Sequence, residues 1–426
     1  MASSPHVDET TASQFDHSSR PPGRTRMILV LGALVALGPL TIDMYLPALP
    51  KIADELTVSS SVAQLTLTGT LAGLALGQLI VGPLSDSLGR RRPLMAGIVL
   101  HMAASLLCVF APNVTTLGLA RGLQGMGAAA ASVVAVAVVG DLYKDSAAAT
   151  VMSRLMLVLG VAPVLAPSLG AAVLLKGSWH WVFVALVVLA GALLLTAALA
   201  LPETLPAAHR RSLHVRSILG TYAELLRDSR FVILVLVAAL GMSGLFAYIS
   251  AAPFVLQGRY GLDQQAFALV FAAGAVALIG STQFNVVLLR RFTPVAITVS
   301  ALSAASVAGL LFIGLAVGQI GGLAGFLLPV LAILAAMGLV IPNAPAVALS
   351  RHPDAAGTAA ALLGAAQFGL GAAVAPVVGA LGNGALALSV VMTAGVVIAL
   401  SALLMVGARR EDTAGGIIPA SVIEPA

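Results

Sequence analysis

The sequence predicts an all-α membrane protein with twelve transmembrane helices in two pseudo-symmetric six-helix bundles. Three observations predict it. Hydrophobic residues make up 59% of the 426-residue chain and charged residues only 9%, whereas soluble domains carry about 25% charged residues. The apolar residues gather in twelve runs, each long enough to cross a hydrocarbon core of roughly 30 Å. The basic residues gather in alternate connections between those runs.

Taken in order, residues 1–26 are polar, rich in Ser, Thr and Pro, and are expected to form a disordered cytoplasmic tail. The first apolar run is long enough to stay as a span instead of serving as a cleaved leader. Spans are expected at 27–49, 60–84, 93–111, 114–139, 153–175 and 180–201, which make an N-terminal bundle over 27–202. A polar cytoplasmic connection at 203–230 follows, with Arg210, Arg211, Arg216, Glu224, Arg227, Asp228 and Arg230. Spans at 231–254, 265–289, 294–317, 321–345, 354–381 and 385–407 then make a C-terminal bundle over 231–408. Residues 409–426 form a second cytoplasmic tail.

With the N-terminus inside, 18 of the 22 Lys and Arg lie in cytoplasmic segments. Lys51, Lys176 and Arg259 fall outside, and Arg121 falls within a span. The positive-inside rule therefore puts both termini in the cytoplasm. The net charge of +5 follows from this topology. It does not point to nucleic acid, because no polar basic domain is present. The single cysteine, Cys108, lies in an apolar run, so no disulfide framework or Cys-based zinc site is available. No metal or other cofactor is expected. The excess of Arg over Lys, with abundant Ala, suggests a GC-rich bacterial genome and hence a bacterial cytoplasmic membrane.

The six-plus-six division reads as a duplication. Span five contains Ala162-x-x-x-Ala166-Pro167-x-x-Gly170-Ala171, and span eleven contains Gly371-x-x-x-Ala375-Pro376-x-x-Gly379-Ala380. Small residues four apart allow close helix packing in lipid, and proline introduces a kink. Chance matching in an Ala- and Gly-rich chain is the plain alternative, but the pattern recurs at the same ordinal position in each half. Paired halves facing a central site are a recurring architecture for alternating access.

Asp43 is the one acidic residue placed well inside a span. An ionisable group there costs about 2.5–3.5 kcal/mol on insertion scales and normally faces a cavity or a partner. Asp43 is expected roughly 6–9 Å below the outer end of span one, and Arg121 roughly 10 Å into span four from the same side. One reading is a static ion pair that locks the helices. The other makes Asp43 a protonatable carboxylate and Arg121 its electrostatic modulator, because an acid that alternates between apolar surroundings and a nearby guanidinium can load and release a proton. His101, in mid-span three, is read as a neutral packing residue, with titration near neutrality as its functional alternative.

The connection after span two reads Gly82-Pro83-Leu84-Ser85-Asp86-Ser87-Leu88-Gly89-Arg90-Arg91-Arg92-Pro93. Gly82 is expected to permit tight packing, Asp86 to pair with a helix N-terminus or an arginine, and Gly89 to support a sharp turn. The ordered set Gly82, Asp86, Gly89, Arg90 and Arg91 points to a gating role.

This segment resembles the cytoplasmic loop signature of the major facilitator superfamily. Leu117-x-x-x-Arg121-Gly122-x-Gln124-Gly125-x-Gly127-Ala128 is similar to the span-four motif of its proton-coupled antiporters, and Asp43-Met44-Tyr45-Leu46-Pro47 to the span-one motif of its twelve-span drug exporters. Met152-Ser153-Arg154, Ala162-Pro163, Trp179-His180-Trp181-Val182-Phe183, Pro202-Glu203-Thr204-Leu205 and Pro253-Phe254-Val255-Leu256-Gln257 resemble the Bcr/CflA drug-resistance subfamily. The resemblance implies the major facilitator fold and an exporter that exchanges drugs for protons. It implies coupling at Asp43, proton transfer assisted by Arg121, a gate stabilised by Asp86 and Arg90, and an antiporter motif at Pro163, Ala166, Pro167 and Gly170. The chain departs from the pattern at Ala162, Ala166 and Ala171, where glycine is frequent, and at Ser87 and His180, where arginine is.

Tyr248, Gln283 and Gln367 are the candidates for the substrate cavity among the polar and aromatic residues within spans. The expected partners are a small drug or metabolite, protons and the lipid bilayer, with the protein functional as a monomer. An ATP-driven pump is disfavoured because no G-x-x-x-x-G-K-[ST] occurs. A polytopic membrane enzyme is disfavoured because the loops are too short and too poor in His, Asp and Ser clusters. A proton-coupled transporter of a sugar or amino acid remains the nearest alternative.

Overall fold

The computed structural model describes residues 24–175, 177–210, 214–352 and 355–414. The expected N-terminal tail up to residue 23, Lys176, Arg211, the C-terminal tail beyond 414 and the side chains of Arg409 and Arg410 lie outside them. Among the described residues twelve helical segments are long and apolar enough to cross a membrane.

In the first half these are α1 (Arg24–Asp43) continued by α2 (Leu49–Glu55), α3 (Ser60–Leu88), α4 (Arg91–Val109), α5 (Val114–Leu142), α6 (Asp145–Leu174) and α7 (His180–Ala200). A short amphipathic helix, α8 (Val215–Arg227), lies in the connection. The second half comprises α9 (Ser229–Pro253), α10 (Gln264–Leu288), α11 (Pro294–Gly318), α12 (Gly322–Leu349), α13 (Ala356–Ala380) and α14 (Ala385–Ala414). Several starts are set by side chains that accept an otherwise orphaned backbone N–H: Ser59 before α3, Asn113 before α5, Asp228 before α9 and Thr293 before α11.

The first span is not one helix. Pro47 has no N–H to offer the carbonyl of Asp43, so α1 stops there. A 3₁₀ turn over Leu46–Ala48 then leads into α2, which runs to Glu55. Trp179 Nε1 donates to Glu55 at 2.9 Å and anchors that end. The expected span 27–49 is therefore too short, and Asp43 sits deeper than its distance from residue 49 suggests.

Within the N-terminal half, α3 and α5 approach closely enough that a Cβ on Gly125 would strike the carbonyl oxygen of Thr70. The two halves meet along α3 and α13. Away from the face that carries the basic connections, Ser61 Oγ donates to the Gly379 carbonyl at 2.8 Å. Gln64 Nε2 donates to the Ser250 carbonyl at 2.8 Å and to Asn383 Oδ1 at 2.6 Å. On the basic face the halves diverge around a cavity of about 300 Å³ bordered by Gln78, Pro83, Asp86, Ser132 and Thr358.

Candidate functional site

The break in the first span places Asp43 between the halves. Its side chain is buried, with the residue 3% exposed, and its Oδ1 has no hydrogen-bond partner. It borders a cavity of about 90 Å³ with Gly160 and Pro163 of α6, Tyr248 of α9, Phe271 and Gly274 of α10, and Leu334 of α12. Tyr248 stacks on Phe271 at 5.3 Å between centroids. The walls are otherwise aliphatic. The Pro163–Gly170 segment of α6 braces the break: a Cβ on Gly170 would collide with the Met44 carbonyl, while Ala166 and Pro167 are buried beside it.

Arg121 is fully buried, yet among the described residues no carboxylate pairs with it. The static ion pair with Asp43 is therefore not formed. The guanidinium instead donates to Gln124 Oε1 and, at 3.0 Å, to the Thr41 carbonyl. It lies 4.1 Å from the centroid of the Tyr45 ring and 5.7 Å from that of Phe183. Desolvation of an ion costs several kcal/mol. Charge-assisted hydrogen bonds of about 1.5–3 kcal/mol each and a desolvated cation–π contact of about 2 kcal/mol offset it.

These groups close a ring across three helices. Gln124 Nε2 donates to Ser105 Oγ at 2.7 Å, and Ser105 Oγ lies 3.5 Å from His101 Nδ1. His101 Nε2 is 2.8 Å from Thr41 Oγ1, and the Thr41 carbonyl returns to Arg121. Thr41 donates its own hydroxyl proton to Leu37 at 2.6 Å. That leaves Thr41 Oγ1 as acceptor and His101 Nε2–H as donor, the neutral tautomer suited to a site beside a guanidinium. His101 thus holds Thr41 in place, two residues before Asp43.

The connection between α3 and α4 forms a second polar cluster at the basic face. Arg90 pairs with Asp86 at 2.5 Å and holds Asp141 through Nε at 2.9 Å and Nη2 at 3.2 Å. Burial disfavours the Arg90 charge, but Asp141 and Asp86 more than compensate and hold its pKa above the usual arginine value. Glu203 accepts the backbone N–H of Arg90 at 2.8 Å and of Arg91 at 3.3 Å, an anion at the start of α4. Partial burial would raise its pKa, yet the N–H groups of Leu205, Arg90 and Arg91 and the Arg210 charge hold it below the ordinary value. Arg91 donates to the Ala198 carbonyl at 2.6 Å. Gly89 has φ +89°, and a Cβ there would meet the Glu203 carboxylate.

Gly82 corrects an expectation. A Cβ at Gly82 would meet nothing within 4 Å, so this glycine does not serve tight packing; it borders the 300 Å³ cavity instead. Of the three cavity candidates, Tyr248 lines the cavity with Asp43; Gln283 is exposed one turn beyond Ile279, on the face of α10 whose Ala275 and Ile279 line that cavity, and Gln367 is half-buried and not among the lining residues. The buried amides Asn285 and Asn343 bond each other at 2.7 Å and serve packing between α10 and α12.

Asp141 was missed because it follows the apolar run 114–139 and reads as a loop residue, although α5 continues to Leu142. Glu203 carried a signal only in the phrase Pro202-Glu203-Thr204-Leu205, which does not reveal a helix cap.

A sequence profile described as Major Facilitator Superfamily matches residues 29–376. An uncharacterised MFS-type transporter, YdgK of Bacillus subtilis, is 37% identical over 366 residues, covering 84% of this chain and 90% of that protein. A bicyclomycin resistance protein homolog of Haemophilus influenzae is 32% identical over 354 residues, covering 81% of this chain and 86% of that protein. Among solved structures, a partially occluded inward-open conformation of the xylose transporter XylE from E. coli superposes with a TM-score of 0.70 at 14% identity. It covers 90% of this chain and 97% of its own, a likeness of fold.

Proposed function

Because the chain belongs to the Major Facilitator Superfamily, we propose that it exports drug-like molecules across the bacterial cytoplasmic membrane in exchange for protons, by alternating access. The observation that carries this reading is Asp43: a buried carboxylate with an unpartnered oxygen, in a cavity that both halves line. Its surroundings change whenever the halves rock about that cavity. Water admitted from one side favours the ionised acid, and closure over apolar walls favours the protonated one. Arg121, held beneath Tyr45 and behind Thr41, supplies a fixed positive field close to the first-span break without consuming the carboxylate. Asp43 and Arg121 are in this reading the coupling pair. The cluster of Asp86, Gly89, Arg90 and Arg91 with Asp141 is the gate on the cytoplasmic side, and both termini lie on that side. The pathway lies within one chain, so the monomer is the working unit.

The cavity wall favours an apolar cargo. A sugar needs many hydrogen-bonding side chains around it, whereas Asp43 and Tyr248 are the polar groups among the residues lining this cavity. The similarity to a bicyclomycin resistance protein homolog agrees with that preference. At one proton per cargo, a membrane potential of 100 mV supplies about 2.3 kcal/mol, enough for roughly a fiftyfold gradient of a neutral molecule.

Proteoliposomes with an imposed pH gradient test the reading, using a panel of lipophilic drugs, sugars and amino acids. Wild type is expected to move drugs against their gradient only when protons run the other way. Asp43→Asn is expected to lose proton-driven transport while keeping drug exchange at equal pH. Full pH-driven transport by Asp43→Asn would remove Asp43 as the proton carrier, and accumulation of sugars alone would replace the drug assignment.

A further inference from the structure

The second half carries a groove that shares none of the residues lining the Asp43 cavity. An open groove of about 400 Å³ runs up the outer surface between α10 and α11, floored by α12. Its walls are small: Ala296, Ser300 and Ala304 on one side stand over Ala332, Ala335 and Ala336. Leu288 and Phe292, which close its end at the basic face, bracket Arg290 and Arg291 in the α10–α11 connection.

Both arginines are exposed, and among the described residues neither makes an ion pair. Their counterparts in the first half, in the α3–α4 connection, are engaged. Arg90 is held by Asp86 and Asp141, and Arg91 by the Ala198 carbonyl. Two cations therefore stand without an internal anion at the mouth of an apolar channel that opens to the bilayer.

We propose that this groove is a binding site for an anionic phospholipid of the leaflet at the basic face, with an acyl chain between α10 and α11 and the phosphate headgroup at Arg290 and Arg291. The tail alone gives little preference, because leaving bulk lipid for an apolar groove brings no hydrophobic gain. Selection comes from the headgroup, and basic residues between spans at the membrane surface are suited to it. Two arginines near an anionic headgroup correspond to an enrichment of about thirtyfold over a zwitterionic lipid of the same tails. The site does not depend on what the protein transports or on Asp43.

Native mass spectrometry of the purified full chain, titrated with phosphatidylglycerol or phosphatidylcholine of identical tails, tests it. Wild type is expected to retain phosphatidylglycerol preferentially, and the double variant R290Q/R291Q to lose most of that preference. A phosphatidylglycerol with a photoreactive acyl chain is expected to label peptides containing Ala296–Ala304 or Ala332–Leu339 in wild-type protein, and A304F to reduce that labelling. Equal retention of both lipids, an unchanged preference in R290Q/R291Q, labelling confined to other helices, or a dimer that buries this groove and excludes lipid would each overturn the proposal.

Discussion

The hydroxyl of Thr41 and the imidazole of His101, sixty residues apart in the chain, are joined by a 2.8 Å hydrogen bond in the buried interior of the first half. Through it the third span grips the first just before the helix breaks at Asp43. Thr41 also receives Arg121 on its carbonyl, so one residue links both α4 and α5 to the carboxylate.

Replacing His101 with Leu removes a donor from Thr41 and a neighbour from Ser105. The expected cost is about 1–2 kcal/mol, seen as a lower melting temperature of the purified protein in detergent. His101→Asn, which keeps a donor, is expected to recover part of the loss. A melting temperature unchanged in His101→Leu would mean that the ring carries no stability.

Gly170→Ala and Gly82→Ala should behave oppositely. The first drives a methyl group into the Met44 carbonyl and is expected to cost about 1–3 kcal/mol. The second places a methyl group in open space at the basic-face cavity and should leave the melting temperature within experimental error. Parallel thermal melts of the two variants provide the comparison.

Asp141→Asn strips Arg90 of one of its two carboxylates in a site where the Arg90 side chain is 9% exposed. Because Asp86 still pairs with Arg90, the loss is that of a charge-assisted contact, about 1.5–3 kcal/mol. Enhanced protease cleavage in the α3–α4 connection, relative to wild type, is the expected sign that Asp141 holds this connection in place. Identical digestion patterns would count against that role.

Acid should weaken the basic-face connections before it touches the spans. Partial burial works against the charge of Asp228, but hydrogen bonds from Arg351, the Phe231 N–H and His352 and the Arg351 charge hold its pKa below the ordinary value, as Glu203 is held by its own donors. Carboxyls depressed in the folded state contribute stability above their unfolded pKa of about 4 and lose it as pH falls through the folded value. Melting temperatures are therefore expected to hold from pH 7 to about 5 and to drop below about 4, with a smaller drop in Glu203→Gln and Asp228→Asn.

Much of this architecture was legible in one dimension. Whether a run can span a bilayer depends on its own length and hydropathy, so the twelve spans and the six-plus-six division follow from counting. The same logic singled out Asp43 and Arg121, because a charge in an apolar run is conspicuous wherever the helix points. Tyr248 and the Gly89 turn were also within reach, the latter because glycine tolerates φ +89°.

Direction was not legible. In lipid both faces of a helix are apolar, so hydropathy does not say which residues look inward. Tyr248 lines the cavity with Asp43, whereas Gln367, a polar residue on another span, is not among its lining residues. Asp43 and Arg121 at similar depth looked able to touch, yet the break at residues 44–48 sets the carboxylate towards the other half. The guanidinium turns into its own bundle, under Tyr45 and against the Thr41 carbonyl. The sequence by itself determined that two opposite charges lie buried in these spans. Only the packing of three helices around Thr41 decided that they stay apart, because depth depends on the rise of one helix and contact depends on the rotation of several.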